Sequence, residues 1–395
     1  MSRVFITGIG VISAIGNRVA ENHAALMMGK CGISRSGGFP SKYSGILPYG
    51  EVSLSTEELK ERLHINDAGI TRTMLLAINA FDEAVQDAGL TSSQLTSGNT
   101  ALIGATTVGG MCLTDELYSD ANDVNKHSPF LSSYDCASAF LYMQQRYRMN
   151  GLINTINTAC SSSANAIMYG ARLIKNGFAT KAIVGGTDCL SKFTINGFNS
   201  LHILSSDVCM PFDENRSGLN LGEGAAFLVL ERETDTVNKK VYAEITGYCN
   251  TNDAYHPSSL SGAGDGPYLA MKGALAEAKL SPGQIGFINA HGTATENNDI
   301  VESNAMIRLF GTPPAFESTK SNIGHTLGAS GAIEAVYCIL NLTYQEVFPS
   351  LHFKQPITGT GLQPVLSFKK TALTHVMSNS FGFGGNCTSL IFSKT

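Results

Sequence analysis

Apolar residues begin to recur at helical spacing just after a cluster of small polar residues near the middle of the chain. Ala164, Ile167, Met168, Ala171 and Ile174 fall on one face of a helix. The stretch before them, Gly151 to Asn157, is rich in Ile, Asn and Thr and predicts a strand. Other short runs read as strands at Thr100 to Gly104, Ile285 to Asn289, Pro314 to Glu317, His375 to Asn379 and Cys387 to Phe392. Ile333, Val336, Ile339 and Leu340 mark a further buried helix face. Strands alternating with helices predict an α/β fold with a mainly parallel sheet covered by helices.

Two patterns occur twice in the same order. Asp87-Ala88-Gly89-Leu90-Thr91-Ser92-Ser93-Gln94-Leu95 parallels Glu277-Ala278-Lys279-Leu280-Ser281-Pro282-Gly283-Gln284-Ile285. Ile6-Thr7-Gly8 is echoed by Ile245-Thr246-Gly247, each expected to end a strand. The pairs predict a duplicated α/β unit, with halves 1–236 and 237–395 that meet near the charged stretch Glu231 to Lys240.

Composition narrows the class. The 395 residues are 43% hydrophobic and 15% charged, a globular balance. A formal net charge of −5 argues against a nucleic-acid protein. No apolar run reaches the ~18 residues of a membrane span. The opening Met1-Ser2-Arg3-Val4-Phe5 runs into a strand pattern and lacks a signal-peptide layout. Nine cysteines without a C-x-x-C pair suggest neither a disulfide framework nor a zinc ribbon, and fit a reducing cytoplasm. The histidines do not recur at metal-ligand spacings, which predicts no metal.

The chemistry-bearing positions stand at strand-to-helix junctions. Cys160, in Asn157-Thr158-Ala159-Cys160-Ser161-Ser162-Ser163, is placed at a helix N-terminus. Unpaired N–H groups and the helix dipole there are expected to stabilise a thiolate nucleophile. His291-Gly292-Thr293-Ala294-Thr295 follows a strand, with Asp299 opening the next helix. Lys320 and His325 lie together in Lys320-Ser321-Asn322-Ile323-Gly324-His325 at another such junction. Ser380-Phe381-Gly382-Phe383-Gly384-Gly385 separates two strands, and its glycines permit close approach to a ligand. Gly8-Ile9-Gly10 is an incomplete dinucleotide fingerprint, because Ser13 holds the third glycine position.

This set, in this order, resembles the β-ketoacyl-acyl-carrier-protein synthases, above all the elongating type I/II enzymes. The likeness runs over nearly the whole chain and includes Leu221-Gly222-Glu223-Gly224-Ala225-Ala226. It implies a thiolase-like fold of two duplicated α/β halves in a five-layered αβαβα arrangement. It also implies decarboxylative Claisen condensation of an acyl thioester with malonyl-carrier protein, in fatty-acid or polyketide/polyene elongation. By the resemblance, Cys160 takes the acyl group, and the N–H groups of Cys160 and Phe383 form the oxyanion hole. His291 and His325 assist decarboxylation, and Lys320 holds the site's electrostatics. Asp299 braces the loop after His291, and Glu334 supports His325. Thr293, Thr295, Phe198 and Phe383 bind substrate, with Gly109 to Leu113, contributed by the dimer mate, as a further pocket wall. The resemblance implies no cofactor, since substrates ride on the phosphopantetheine of an acyl carrier protein. It implies a homodimer, or a heterodimer with a chain-length-factor-like subunit.

Two other readings are a chain-length-factor-like partner subunit and a CoA-dependent thiolase. Such partner subunits typically lose the nucleophilic cysteine, and thiolases use a second cysteine where His325 stands here. The chain departs from the family at Asn386-Cys387, where Thr-Asn is usual. It departs again at Ala68-Gly69-Ile70-Thr71 beside Arg72, where a basic segment is usual and carrier-protein docking is expected to differ. These departures point toward a specialised pathway.

Overall fold

The computed structural model describes residues 2–35, 38–123 and 127–395. Ten strands form the main sheet. They are β1 (Val4–Ser13), β2 (Thr100–Ala105), β3 (Ile153–Ile156), β4 (Lys181–Asp188) and β5 (Gly224–Arg232). The second five are β6 (Ala243–Asn252), β7 (Phe287–Asn289), β8 (Ala315–Glu317), β9 (His375–Phe381) and β10 (Asn386–Ser393). Their order is β8-β7-β9-β10-β6-β1-β5-β4-β2-β3.

The order contains its own symmetry. Adding five to each label of β1-β5-β4-β2-β3 gives β6-β10-β9-β7-β8, with the same parallel and antiparallel partners in each half. The halves join where β1 pairs antiparallel with β6, Phe5 against Glu244. The sheet is mixed, which corrects the mainly parallel expectation: five of its nine pairings are antiparallel. Consecutive strands β9 and β10 form a hairpin joined by a short 3-10 turn at Phe383–Gly385, with no long crossover between them.

The sequence echoes mark equivalent places. Ile6-Thr7-Gly8 does not end β1, nor does Ile245-Thr246-Gly247 end β6; in each the register slips by one residue at the threonine. Each glycine then lies under a helix. A Cβ at Gly8 would stand 2.3 Å from the Ala84 carbonyl oxygen, and one at Gly247 2.3 Å from that of Ala274. The helices concerned are α1 (Arg72–Asp87) and α3 (Asp265–Ala278). The second echo is a pair of capping boxes, Thr91 with Gln94 and Ser281 with Gln284.

Two buried helices fill the middle. They are α2 (Ser162–Lys175) and α5 (Ser330–Tyr344), which pack on each other and on strands from both halves. The helix α4 (Glu296–Phe310) lies outside beside α3. The layers therefore run α1, first half-sheet, α2 with α5, second half-sheet, and α3 with α4. The first turns of α2 and α5 meet closely: a Cβ at Gly331 would stand 2.8 Å from the Ala164 nitrogen, and the Ala332 N–H donates to Ser163 Oγ at 2.9 Å. Among the described residues, no helix is long and apolar enough to cross a membrane.

Candidate active site

The duplication brings the two halves' chemistry to one point. Cys160 follows β3 and precedes α2, while Lys320 and His325 follow β8 and precede α5, the equivalent junction. Because the first turns of α2 and α5 touch, two helix N-termini converge where these loops end. His291 follows β7, and Phe383 sits in the turn after β9. The ligating atoms of Cys160, His291 and His325 all lie within 4.8 Å of one another.

The loops hold unusual backbone. Ala159, next to the nucleophile, has φ 53°, and Ala294 and Leu327 have φ 62° and 52°. Such left-handed non-glycine residues cost energy and persist where surrounding contacts fix them. Around Ala159, Ser162 Oγ accepts from the Thr158 N–H at 2.8 Å and its hydroxyl is bonded to the Ala159 carbonyl. Gly382 presses on the same turn: a Cβ there would lie 3.2 Å from the Cys160 nitrogen.

Hydrogen bonds fix the imidazole tautomers. The Leu327 N–H donates to His325 Nδ1 at 3.1 Å, so the His325 proton is on Nε2. Nε2 is buried and has no protein partner. Lys320 Nζ lies 3.3 Å from His291 Nδ1, and an ammonium can only donate, so His291 also carries its proton on Nε2. Burial holds both imidazoles well below their ordinary pKa of 6.5, with the Lys320 charge acting in the same direction on each. Both rings are neutral N–H donors at neutral pH. The trio has the spacing of a metal site, yet its donor set does not suit one. A metal bound at Nε2 would push each proton to Nδ1, against the Leu327 N–H and the Lys320 ammonium.

Burial acts differently on the sulfur. It pushes the Cys160 thiol up to about 11, opposed by the N–H of Phe383, the charge of Lys320 and its own N–H. The resting group is a thiol, which corrects the expectation of a stabilised thiolate: loss of water outweighs the amide N–H groups and the cation. Those two N–H groups flank the sulfur, where an acyl oxygen bound to it would lie.

The supporting groups are partly rearranged from expectation. Glu334 does not touch His325; its carboxylate pairs with Lys320, and both are buried. The helical step from 330 to 334 carries Glu334 toward the lysine, leaving Ser330 beside His325 Nδ1 at 3.0 Å. Asp299 accepts from the N–H groups of Ala294 at 3.2 Å and Phe212 at 2.7 Å. The amides of His291 and Gly292 are held instead by Glu302, both at 2.9 Å. Sequence reasoning missed Glu302. Its signal was a carboxylate on the core-facing stripe of α4, among Val301, Ala305 and Met306.

A cavity of about 620 Å³ opens from the sulfur and both imidazoles toward Phe198, Thr293 and Thr295. Phe198 and Phe383 stack across it with centroids 5.7 Å apart. Thr293 and Thr295 share a hydroxyl hydrogen bond of 2.8 Å. Within the chain, Cys112 and Leu113 border a separate cavity of about 700 Å³. Arg72 is engaged inside the fold, with its guanidinium on Glu223 at 2.6 Å.

Comparison with known proteins identifies the family. Residues 1–236 match the Beta-ketoacyl synthase N-terminal domain, and residues 242–354 match the Beta-ketoacyl synthase C-terminal domain. The chain belongs to the β-ketoacyl synthase family. A relative from Schizosaccharomyces pombe, "Putative 3-oxoacyl-[acyl-carrier-protein] synthase, mitochondrial", is 35% identical over 100% of this chain and 99% of its own. The solved structure of the ishigamide ketosynthase/chain length factor has a TM-score of 0.93 at 30% identity, covering 100% of this chain and 99% of that one. A type II polyketide synthase ketosynthase, solved with its acyl-carrier protein and bound to the hexaketide, gives a TM-score of 0.88 at 25% identity, covering 100% of both chains. The β-ketoacyl synthase fold accordingly has the thiolase-like layering described above.

Proposed function

We propose that this chain is an elongating β-ketoacyl-[acyl-carrier-protein] synthase. One observation carries the reading: a cysteine sulfur and two neutral imidazoles with protons on Nε2 share one buried pocket. In the first step the Cys160 sulfur attacks an acyl thioester carbonyl. The carrier thiol leaves with the proton that Cys160 gives up, and the N–H groups of Cys160 and Phe383 stabilise the oxyanion. A malonyl thioester then occupies the cavity. Its carboxylate C–C bond breaks, carbon dioxide departs, and the electron pair moves onto the thioester oxygen, where the His291 and His325 N–H groups donate. The resulting carbanion attacks the acyl-cysteine carbonyl. A C–C bond forms, the S–C bond breaks, and the Cys160 thiolate takes a proton from solvent. Lys320, held by Glu334, keeps the proton of His291 on Nε2. Thr293, Thr295 and Phe198 border the path of the substrate arm. No step requires a metal or redox cofactor.

The partner is an acyl carrier protein, as in the polyketide complex. We infer a dimer, either with a second copy or with a chain-length-factor-like subunit. Its support is the edge strand β3, which among the described residues pairs with β2 alone, beside exposed Leu141 and Leu152. Nine unpaired cysteines suit a reducing cytoplasmic setting. The family departures and the polyketide-type relatives favour a specialised elongation pathway.

The test is intact-protein mass after incubation with a panel of acyl-carrier proteins, then product mass after adding malonyl-carrier protein. An adduct on Cys160 and a β-ketoacyl product are expected. Cys160→Ala abolishes both, while Cys160→Gln still releases carbon dioxide from malonyl-carrier protein. A protein that forms no adduct is a partner subunit, and one that works only on CoA thioesters is a thiolase.

A further inference from the structure

The Phe383 N–H faces the sulfur, and its turn is held by several contacts. Gly384 and Gly385 carry φ of 80° and 77°, and glycine is the most easily moved backbone. The turn is tied at its base by the Gly382 N–H on the Asn386 carbonyl at 2.7 Å. At its tip, the Gly384 N–H donates to the Pro257 carbonyl at 2.7 Å. The Gly385 N–H donates to the Gly382 carbonyl at 3.1 Å, and Asn252 Nδ2 and the Asp253 N–H donate to the carbonyls of Gly384 and Gly385 at 3.0 and 2.8 Å. None of these contacts reaches the nucleophile loop.

Asn386 does. It is the residue at which the chain departs from the family's usual threonine. Its Oδ1 accepts from Asn165 Nδ2 at 2.9 Å and Asn250 Nδ2 at 2.7 Å. The Ser161 hydroxyl, one residue after the nucleophile, stands 2.7 Å from the same oxygen and is shared with the Thr158 carbonyl at 2.8 Å. Two carboxamide donors fix which end of the Asn386 amide faces them. Asn165 extends the tie. Its Nδ2 also donates to Thr158 Oγ1, and its Oδ1 accepts from the Thr388 hydroxyl, each at 2.8 Å. One carboxamide oxygen thus joins the hairpin of the second half to the nucleophile loop and first turn of α2 in the first.

We propose that Asn386 is a positioning residue, clamping the Phe383 turn so that its N–H lies against the acyl oxygen on Cys160. The inference rests on the reading of Cys160 as acyl acceptor. Asn386 touches no reacting atom; it acts through the turn and the Ser161 hydroxyl. A leucine keeps the shape of the side chain but leaves its donors without an acceptor. An aspartate keeps the acceptor oxygen and strengthens its hydrogen bonds.

The test measures single-turnover acylation of Cys160 from acyl-carrier protein and, separately, alkylation of Cys160 by iodoacetamide, which develops no oxyanion. In Asn386→Leu the acylation rate constant falls about 100-fold, within the range for loss of one oxyanion donor. The carrier-protein KM stays unchanged, and alkylation falls far less than acylation, because the sulfur loses only one of the groups that hold its thiol down and no oxyanion is involved. Asn386→Asp recovers most of the acylation rate. Asn250→Ala removes one donor from a more distant strand and gives an intermediate loss, which keeps the clamp open to test should Asn386→Leu fail to fold. Equal acylation by wild type, Asn386→Leu and Asn250→Ala overturns the clamp alone. A fall in alkylation as large as that in acylation also overturns it, because the residue then acts on the sulfur and not on the oxyanion. A wild-type protein that takes no acyl group overturns the functional reading, and the clamp with it.

Discussion

Leu327 donates its amide N–H to Nδ1 of His325 across 3.1 Å, and this one bond decides what the imidazole can do. It leaves the second nitrogen as a donor inside the cavity. Both active-site imidazoles are held neutral by burial and by Lys320, below the ordinary value of 6.5. Their contribution to stability follows from the sign of that shift. Below about pH 6.5 the unfolded chain gains protons at both rings that the native state does not accept, so stability falls as pH falls. Urea midpoints between pH 8 and pH 5 should show this drop, and His325→Ala should reduce its slope. An unchanged slope in the variant would contradict a neutral native ring.

The sulfur titrates in the opposite sense. With its thiol at about 11, Cys160 is protonated through neutral pH. Its alkylation by iodoacetamide should rise with each pH unit from 7 to 10 without levelling off. A plateau near pH 7 would show a resting thiolate.

Glu334 and Lys320 form a buried pair on which the tautomer of His291 depends. Burial holds the Glu334 carboxyl up to about 7, while Lys320 pulls it down. Glu334→Gln removes the counter-charge and leaves a buried ammonium, a change that costs about 3 to 5 kcal/mol. Equilibrium denaturation reads this directly, and malonyl decarboxylation should fall with it. A loss under 1 kcal/mol would mean that water reaches the lysine.

The duplication predicts matched mutational effects. Gly8→Ala and Gly247→Ala each press a Cβ to 2.3 Å from a helix carbonyl oxygen. Overpacking of this kind costs about 1 to 3 kcal/mol. The two variants should destabilise the protein by similar amounts in urea, whereas Gly98→Ala, with open space around it, should be nearly neutral.

Much of the site was readable along the chain because its residues stand in short local motifs. Cys160, His291, Lys320, His325 and Phe383 each sit where a strand pattern gives way to small residues, and the structure draws all five to one place. Glu302 was hidden among apolar positions of α4. Glu334 stood in the right helix but was given the wrong partner, since spacing counts residues and cannot tell which loop a carboxylate meets. The sheet's mixed character was also illegible, because nothing in a strand's own pattern states the direction of its neighbour.

The chain's own letters determined the strand-to-helix junctions, the repeated unit and the reactive side chains, because backbone preference and apolar periodicity act over a few residues. Only the tertiary structure decided the charge and tautomer of those side chains. Burial, the Leu327 amide and the Lys320 ammonium set them: the amide and the ammonium come from the second half, and they meet the sulfur of the first half in one buried place only when α2 and α5 come together.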